Sequence, residues 1–581
     1  MKKKKSFLPG IDGSIWHDSA HRWRGGDLEN MGEVEPVIPS SKLNIFYLAI
    51  FVILLVFLAR LFGLMIINGA KNKELAENNR VRLVEIEAQR GNILDRNGKI
   101  IAESKRQFLL KKGKSETEIS VEKAKQLEKE GKASENFEGS DGTIAQIVKR
   151  NYPLEAAASH VLGYTSVAQK EEVSRDKTIS TVNAVGRLGL EANYDNFLEG
   201  SVGKKLIEVD AEGHKVSILG VQDSKIGRNI HATIDADLQK VSYEALTKYS
   251  QKVGSRRGAL VAQDPNTGEI LALISTPSFD PGDIGRAVTD LDKPFFNRAV
   301  QGNFPPGSVF KIAVALAGLE SKNIDKNTEF EDEGHFELGG EQFTNWFYNQ
   351  YGKTDGVIKI ERAITRSNDT FFYKMAQKMG LDPLRLAAIK LGFGQKTGID
   401  LPDEAYGLVP DEVWKKSAKG DNWYTGDTLH LSIGQGFMLA TPIQVNSMTS
   451  YVASGKLIKP FLVSKIDSGL GGGDINFGTK IVGEKLFSQD NLNLIRSGMR
   501  GACETGGTAY PFFDAKYNVA CKTGTAEESG GNPHAWFTVF APADKPKIAM
   551  TVLVERGGEG SAVAAPVAKE VLDWWMENRN K

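Results

Sequence analysis

From Leu43 to Ile67 the chain reads LNIFYLAIFVILLVFLARLFGLMII, 25 residues that contain a single charge. Nothing else in the sequence restricts the fold so tightly. A helix rises about 1.5 Å per residue, so about 20 apolar residues cross a bilayer core. Arg60 stands near the far end of the run, where a long side chain can reach the headgroups. A cleaved signal peptide would have a shorter apolar stretch, a shorter leader and a small-residue cleavage site, and the sequence shows none of these. Lys2 to Lys5 precede the run, and the positive-inside bias keeps that end in the cytoplasm. The expectation is a cytoplasmic tail over 1–42, one transmembrane helix over 43–67, and a body from residue 68 outside the cytoplasm, carried on the cell membrane.

A chain of 581 residues needs two or three cores. Lys and Arg balance Asp and Glu at 73 each, so there is no basic footprint for nucleic acid. Two cysteines exclude a disulfide-rich scaffold and a cysteine metal cluster. Eight scattered histidines show no metal-ligand spacing, so neither a metal nor another cofactor is expected.

Beyond the apolar run, Ala70 to Leu83 reads as a helix, and Val84, Ile86 and Ala88 alternate as in a half-buried strand. Asn97-Gly98 marks a hairpin turn. Residues 104–150 are rich in Lys, Glu and Ser and predict a solvated helical pair or mobile insert rather than a binding surface. The region 68–235 is therefore read as a β-rich first domain with a charged insert, and 236–581 as a second. In the second, GALVAQDPNTGEILALIST predicts two strands joined by a turn, Gly258 to Gln263 and Glu269 to Ser275. YNVACKTGTA, AWFTVFAP and KIAMTVLVE predict three more, and Ala562 to Asn578 a closing helix. Two strands, a helical middle, three strands and a helix suit an α+β domain with an antiparallel sheet covered by helices.

Ser308 and Lys311 stand three apart at the start of an apolar helix behind a Pro-Pro-Gly elbow. That spacing puts a Lys amine within reach of a Ser hydroxyl, and a buried amine can be neutral enough to take its proton. Ser120–Lys123 and Ser201–Lys204 share the spacing but lie in charged or Gly-rich segments with no buried helix behind them. Ser367-Asn368-Asp369 follows at a helix junction, where Ser367 or Asp369 can also serve as an N-cap.

Lys-Thr-Gly occurs twice. Lys396-Thr397-Gly398 sits in a Gly/Pro-punctuated loop, whereas Lys522-Thr523-Gly524 ends an apolar strand and is followed by Thr525. A strand edge can hold an acyl substrate by its main chain, so the second copy is the chemical one. Cys521 beside Lys522 points to the opposite face. It either pairs with Cys503 in an oxidising compartment or remains one of two buried thiols, and the thiols are the favoured expectation.

The order Ser-x-x-Lys, Ser-x-Asp, Lys-Thr-Gly, with spacings of about 60 and 215 residues from Ser308, resembles the penicillin-interacting serine transferases. RGNILDRNGKIIA, HVLGYT, GRLGLEANYDNFLEG, NRAVQGNFPPGSVFK, LGFGQKTGIDLP, LSIGQGFMLATPIQV and HAWFTVFAP extend the resemblance to the class B penicillin-binding proteins over nearly the whole body. Ser367-Asn368-Asp369 with TFFYKMA is closer to their elongation type than to the division type; Asp369 takes the place of an amide.

The resemblance implies a pedestal of the dimerisation type over 68–235 and a β-lactamase-like transpeptidase domain over 236–581. It implies that Ser308 attacks the D-Ala-D-Ala amide of a peptidoglycan stem peptide, and that an amine on a neighbouring stem takes the acyl group. Lys311 would be the base and Ser367 a proton relay, while Lys522 would add the charge that keeps Lys311 neutral. Thr523, Gly524 and Thr525 would contact the substrate, Thr523 and Thr525 binding its carboxylate, with the N–H groups of Ser308 and Thr525 as oxyanion hole. Implied partners are lipid-linked nascent strands, β-lactams, a SEDS-type membrane glycosyltransferase and the cell-wall elongation complex. A septal transpeptidase and a scaffold that activates the glycosyltransferase are the alternatives. A β-lactam sensor would need a transmembrane bundle. A hydrolase, carboxypeptidase or β-lactamase, stays the hardest alternative to exclude, although such enzymes are usually secreted or C-terminally anchored and lack this pedestal.

Overall fold

The computed structural model describes residues 40–135, 140–175, 182–210, 215–469, 472–528 and 530–580. The expected cytoplasmic tail lies outside the described residues up to position 39. The chain divides into two units, Met1–Arg80 and Val81–Lys581.

In the first unit, α1 (Ser40–Phe62) carries the apolar run and widens into a π-helical turn, Gly63–Ile67. The stretch Leu43–Ile67 is long and apolar enough to cross a membrane, and no part of it is buried in protein. A second helix, Gly69–Arg80, follows.

The second unit begins with a three-stranded antiparallel sheet of Val81–Ile86, Gly203–Val209 and Lys215–Gln222. Next to it in sequence, Ile93–Leu94 and Ile100–Lys112 form a hairpin around Asn97-Gly98, where Asp95 Oδ1 accepts from the N–H groups of Asn97 and Lys99. The charged stretch 104–150 is not a helical pair. Ile100–Lys112 pairs with Ser115–Ile119 on one side and Gly142–Asn151 on the other, with one helix among the described residues, Val121–Lys129, between. The alternation of Phe108, Leu110 and Ile144 is short, but it closes over Ala124, Leu127 and Ala133 in a small core. The charges that dominate the composition stand on its outside. Ser120 is the N-cap of the one helix and accepts from Lys123 N, which accounts for that Ser-x-x-Lys spacing.

The sheet that holds these strands also reaches far along the sequence. Val463–Ile466 and Ile475–Asn476 join it through Ile230–Ala232. Asp400 adds a second tie, accepting from Tyr194 Oη at 2.8 Å and from the N–H groups of Leu462 and Val463.

The remainder is a three-layer assembly. The elements of it that frame the sheet and the site are, in chain order, α2 (Ala236–Lys252), β1 (Gly258–Gln263), β2 (Ile270–Thr276), α3 (Lys311–Glu320), α4 (Trp346–Tyr351), α5 (Asp369–Met379), α6 (Pro442–Ser454), α7 (Gln489–Ala502), β3 (Ala520–Ala526), β4 (His534–Ala541), β5 (Ile548–Val554) and α8 (Ala564–Asn578). The sheet runs β2-β1-β5-β4-β3, antiparallel throughout, with β3 at an edge. All five strands are buried on both faces except at Thr525 on β3, which is half-buried. Alternate residues divide between two cores. Leu260, Phe537 and Val552 pack under α2 and α8, whereas Val261, Trp536 and Leu553 pack under α3, α5 and α6.

This alternation also decides the cysteines. Cys521 turns away from the face of Lys522 and meets Cys503, at the C-terminal end of α7, with Cα atoms 5.9 Å apart. The two are joined in a disulfide, so the expectation of free thiols is corrected.

Candidate active site

The nucleophile candidate sits on a 3-10 turn, Gly307–Phe310, which feeds directly into α3. Three neighbours fix the elbow before it. Trp536 Nε1 donates to Pro305 O at 2.9 Å, Phe304 exchanges two backbone bonds with Ala440, and Gly307 N donates to Gly434 O. Gly307 has φ +55°, and a Cβ there would stand 2.7 Å from Thr525 O. Only glycine allows so close an approach in that conformation. The Ser308 turn is thereby packed against β3, with Ser308 itself half-buried.

Lys311 is fully buried at the foot of α3. Its Nζ donates to Asp369 Oδ1 at 2.6 Å and to Ser367 O at 2.8 Å, with Ser367 Oγ at 3.5 Å. Lys522, also fully buried, donates from β3 to Ser367 Oγ at 2.6 Å and to Thr523 O at 2.9 Å. Ser367 ends a short helix, Ile360–Arg366, in the left-handed region at φ +54°. A non-glycine residue held there carries local strain. This backbone conformation presents the hydroxyl to one Lys amine and the carbonyl to the other. The N-cap of α5 is Asn368, whose side chain accepts from Phe371 N, so neither Ser367 nor Asp369 has that role.

Burial pushes Lys311 below the ordinary Lys range, against the pull of Asp369. Lys522 falls well below it, through burial first and then the charge of Lys311. Both amines are thus moved towards the range where one can act as a base. The carboxylate stands against Lys311, so it favours a proton arriving there.

The substrate-side residues of the motif lie on the same edge strand. Thr523 Oγ1 is 2.7 Å from Thr508 Oγ1, and Thr525 Oγ1 accepts from Gly560 N at 3.4 Å. Gly524 leaves room where a Cβ would meet Val309 Cγ1 and Trp536 Cβ, each at 2.9 Å. The structure thus brings Ser308, Lys311, Ser367, Asp369, Lys522, Gly524 and Thr525 to one junction of α3, α5 and β3. The first Lys-Thr-Gly is elsewhere. Glu404 accepts from Thr397 N, Thr397 Oγ1 and Gly398 N, and Lys396 is exposed with its Nζ over the Tyr406 ring.

Sequence reading missed the support beneath Asp369. Asn345 Oδ1 accepts from Asp369 N, Trp346 N donates to Asp369 Oδ2, and Asp332 accepts from both Asn345 and Asn368. These residues lie in a segment without clear periodicity.

Comparison with known proteins places this geometry in context. The family described as "Penicillin binding protein transpeptidase domain" matches residues 258–573, and "Penicillin-binding Protein dimerisation domain" matches 110–232. The peptidoglycan D,D-transpeptidase MrdA of Acinetobacter baumannii is 32% identical, covering 92% of this chain and 87% of its own. Its namesake in Escherichia coli K12 is 30% identical over 92% and 94%. Among solved structures, the penicillin-binding protein 2 (PBP2) of Helicobacter pylori in complex with MreC superposes with a TM-score of 0.72 at 29% identity, covering 86% of this chain and 99% of that one. PBP2 of Pseudomonas aeruginosa gives 0.67 at 32% identity, over 86% and 98%. With more than half its length matched by the transpeptidase family and its fold shared with PBP2, this chain belongs to the class B penicillin-binding proteins.

Proposed function

We propose that the chain is a membrane-anchored peptidoglycan D,D-transpeptidase of cell-wall elongation that works through an acyl-enzyme on Ser308. The observation that carries the residue assignment is the hydrogen-bonded series Asp369–Lys311–Ser367–Lys522 packed beside the Ser308 turn.

In this reading Ser308 Oγ attacks the carbonyl carbon of the penultimate D-Ala, and its proton passes to the neutral Lys311 amine. Asp369 at 2.6 Å stabilises the ammonium so formed. The developing oxyanion would be met by the N–H groups of Ser308 and Thr525, a reading supported by the close approach of Gly307 to Thr525 O. The C–N bond then breaks. The leaving D-Ala amine receives its proton through the Ser367 hydroxyl, which accepts from Lys522 and is free to donate onward. An acceptor amine attacks the ester and loses a proton to the same relay, and Ser308 recovers its own. The free edge of β3 would hold the donor peptide as an added strand, with Thr523 and Thr525 on its carboxylate. A β-lactam presents the same carbonyl in a ring, so its leaving group stays attached and deacylation is blocked.

The apolar helix at 43–67 would anchor the body outside the cytoplasm. Residues 81–235 would dock partners of the kind seen with the Helicobacter PBP2 (an MreC-type scaffold) together with a membrane glycosyltransferase.

Intact mass after incubation with penicillin tests the reading. One adduct per chain is expected on the parent and none on Ser308→Ala. An adduct on the variant would move the nucleophile elsewhere, and loss of the drug without an adduct would make the chain a hydrolase.

A further inference from the structure

Asn345 stands at the N-cap of α4, fully buried, yet its side chain does not cap that helix. An Asn at this position ordinarily contributes about 1 kcal/mol by bonding its own first turn. Here Oδ1 accepts from Asp369 N at 3.2 Å and Nδ2 donates to Asp332 Oδ2 at 3.0 Å. The next backbone N–H, that of Trp346, donates to Asp369 Oδ2 at 3.1 Å. One dipeptide therefore holds both the main chain of Asp369 and the carboxylate oxygen that faces away from Lys311.

Asp332, itself buried, is the base of this support. Its Oδ2 accepts from Asn345, from Asn368 Nδ2 at 2.7 Å and from Asp355 N at 2.8 Å, while Oδ1 accepts from Gly334 N. Asp355 is in turn held by Arg366 Nε at 3.0 Å. A buried polar network whose members are all partnered behaves as a rigid unit. This one joins the segment between α3 and α5 to the one carboxylate among the described residues that touches Lys311 Nζ.

We propose that Asn345 is a positioning residue for acylation. By tying Asp369 to Asp332 it keeps the Asp369 carboxylate on the amine that receives the Ser308 proton. The inference rests on Lys311 as the base. The charged and titratable groups that face this pair are Lys522 across Ser367, Tyr373 on α5 with Glu527 beyond it, and Asp332, Asp355 and Arg366 behind Asn345.

The test is the pH profile of the second-order rate of acylation by a fluorescent penicillin. It uses the full chain in detergent, normalised to the titratable fraction, for the parent, Asn345→Ala, Asp369→Asn and the double variant. Lys311 must be neutral to act, so the rate falls on the acid side. A carboxylate at 2.6 Å favours the protonated amine, so its removal moves that acid limb to lower pH. Asp369→Asn should show this shift. Asn345→Ala should shift the limb in the same direction and lower the plateau by about 10- to 100-fold, the size of a small misplacement. The double variant should be no slower than Asp369→Asn alone. If Asn345→Ala accumulates poorly, Asp332→Asn loosens the same tether one bond further back and should give the same shift on a smaller scale. Effects that multiply in the double variant, with the limb unmoved by Asn345→Ala, would overturn the proposal and leave the base assignment standing. A limb that Asp369→Asn itself leaves in place would remove the assignment of Lys311, and this inference with it.

Discussion

Lys396-Thr397-Gly398 and Lys522-Thr523-Gly524 are the same three residues in one chain, and they do unrelated things. In the first, one buried carboxylate, Glu404, collects the donors of Thr397 and Gly398, and the Lys amine lies exposed over Tyr406. In the second, the tripeptide lies on an edge strand, the amine is buried on Ser367, and the glycine admits Val309 and Trp536. Burial is what separates them. An amine in the interior, as at Lys522, is depressed towards a range where proton transfer is possible. A motif is therefore a statement about residue types. The chemistry belongs to the surroundings.

Exchanging the Lys residues tests this contrast most severely. Lys522→Ala should slow acylation by penicillin about 10²- to 10⁴-fold, the range for a lost proton-transfer group. Lys396→Ala should change it by less than about twofold. Comparable losses in the two variants, measured by stopped-flow with a labelled penicillin, would break the comparison.

The glycines come next. Gly524→Ala puts a methyl group 2.9 Å from Val309 and Trp536, which forces β3 off the Ser308 turn. Acylation should drop about 100-fold. Gly398 has φ +79°, and the nearest atom to an added Cβ is the flexible Lys459 Cε at 3.2 Å. Gly398→Ala should cost about 1–2 kcal/mol of stability for the left-handed backbone and leave the acylation rate in place.

Proton dependence sharpens the contrast further. Lys311 and Lys522 are both lowered by burial, so acidification charges an amine that must be neutral. The acylation rate should fall by about tenfold per pH unit below the folded pKa of the base, with a plateau above it. The Lys396→Ala curve should lie on that of the parent. A flat profile would remove a lysine base from the mechanism.

The smallest effect is purely structural. Glu404→Ala leaves the donors of Thr397 and Gly398 without their buried acceptor and should cost about 1–3 kcal/mol in denaturant unfolding. Acylation per folded molecule should stay within about twofold. A larger loss would tie the first loop to the chemistry after all.

Much of this was legible along the chain because it is local. The apolar run at 43–67 needs no partner to be recognised, and strands such as Gly258–Gln263 declare themselves by apolar runs between turns. Ser308 and Lys311 are one turn apart, so their spacing already implies a shared face. The choice between the two Lys-Thr-Gly copies followed from whether an apolar strand or a Gly/Pro loop surrounded each.

What remained hidden depends on contacts between distant segments. In 104–150 the charges outnumber the few alternating apolar residues, and only their closure over Leu127 and Ala133 makes strands the favoured state. The partner of Cys521 was set by the strand face opposite Lys522 and by where α7 ends. Asn345 and Asp332 carry no periodicity and no motif, yet they hold the carboxylate beside Lys311. By itself, then, the sequence determined the membrane-length helix, the strands and the residue types available for acyl transfer, because backbone period and side-chain chemistry are local properties. The tertiary structure alone decided which amines are buried and which carboxylate faces them, because burial and pairing exist only once separate segments have packed.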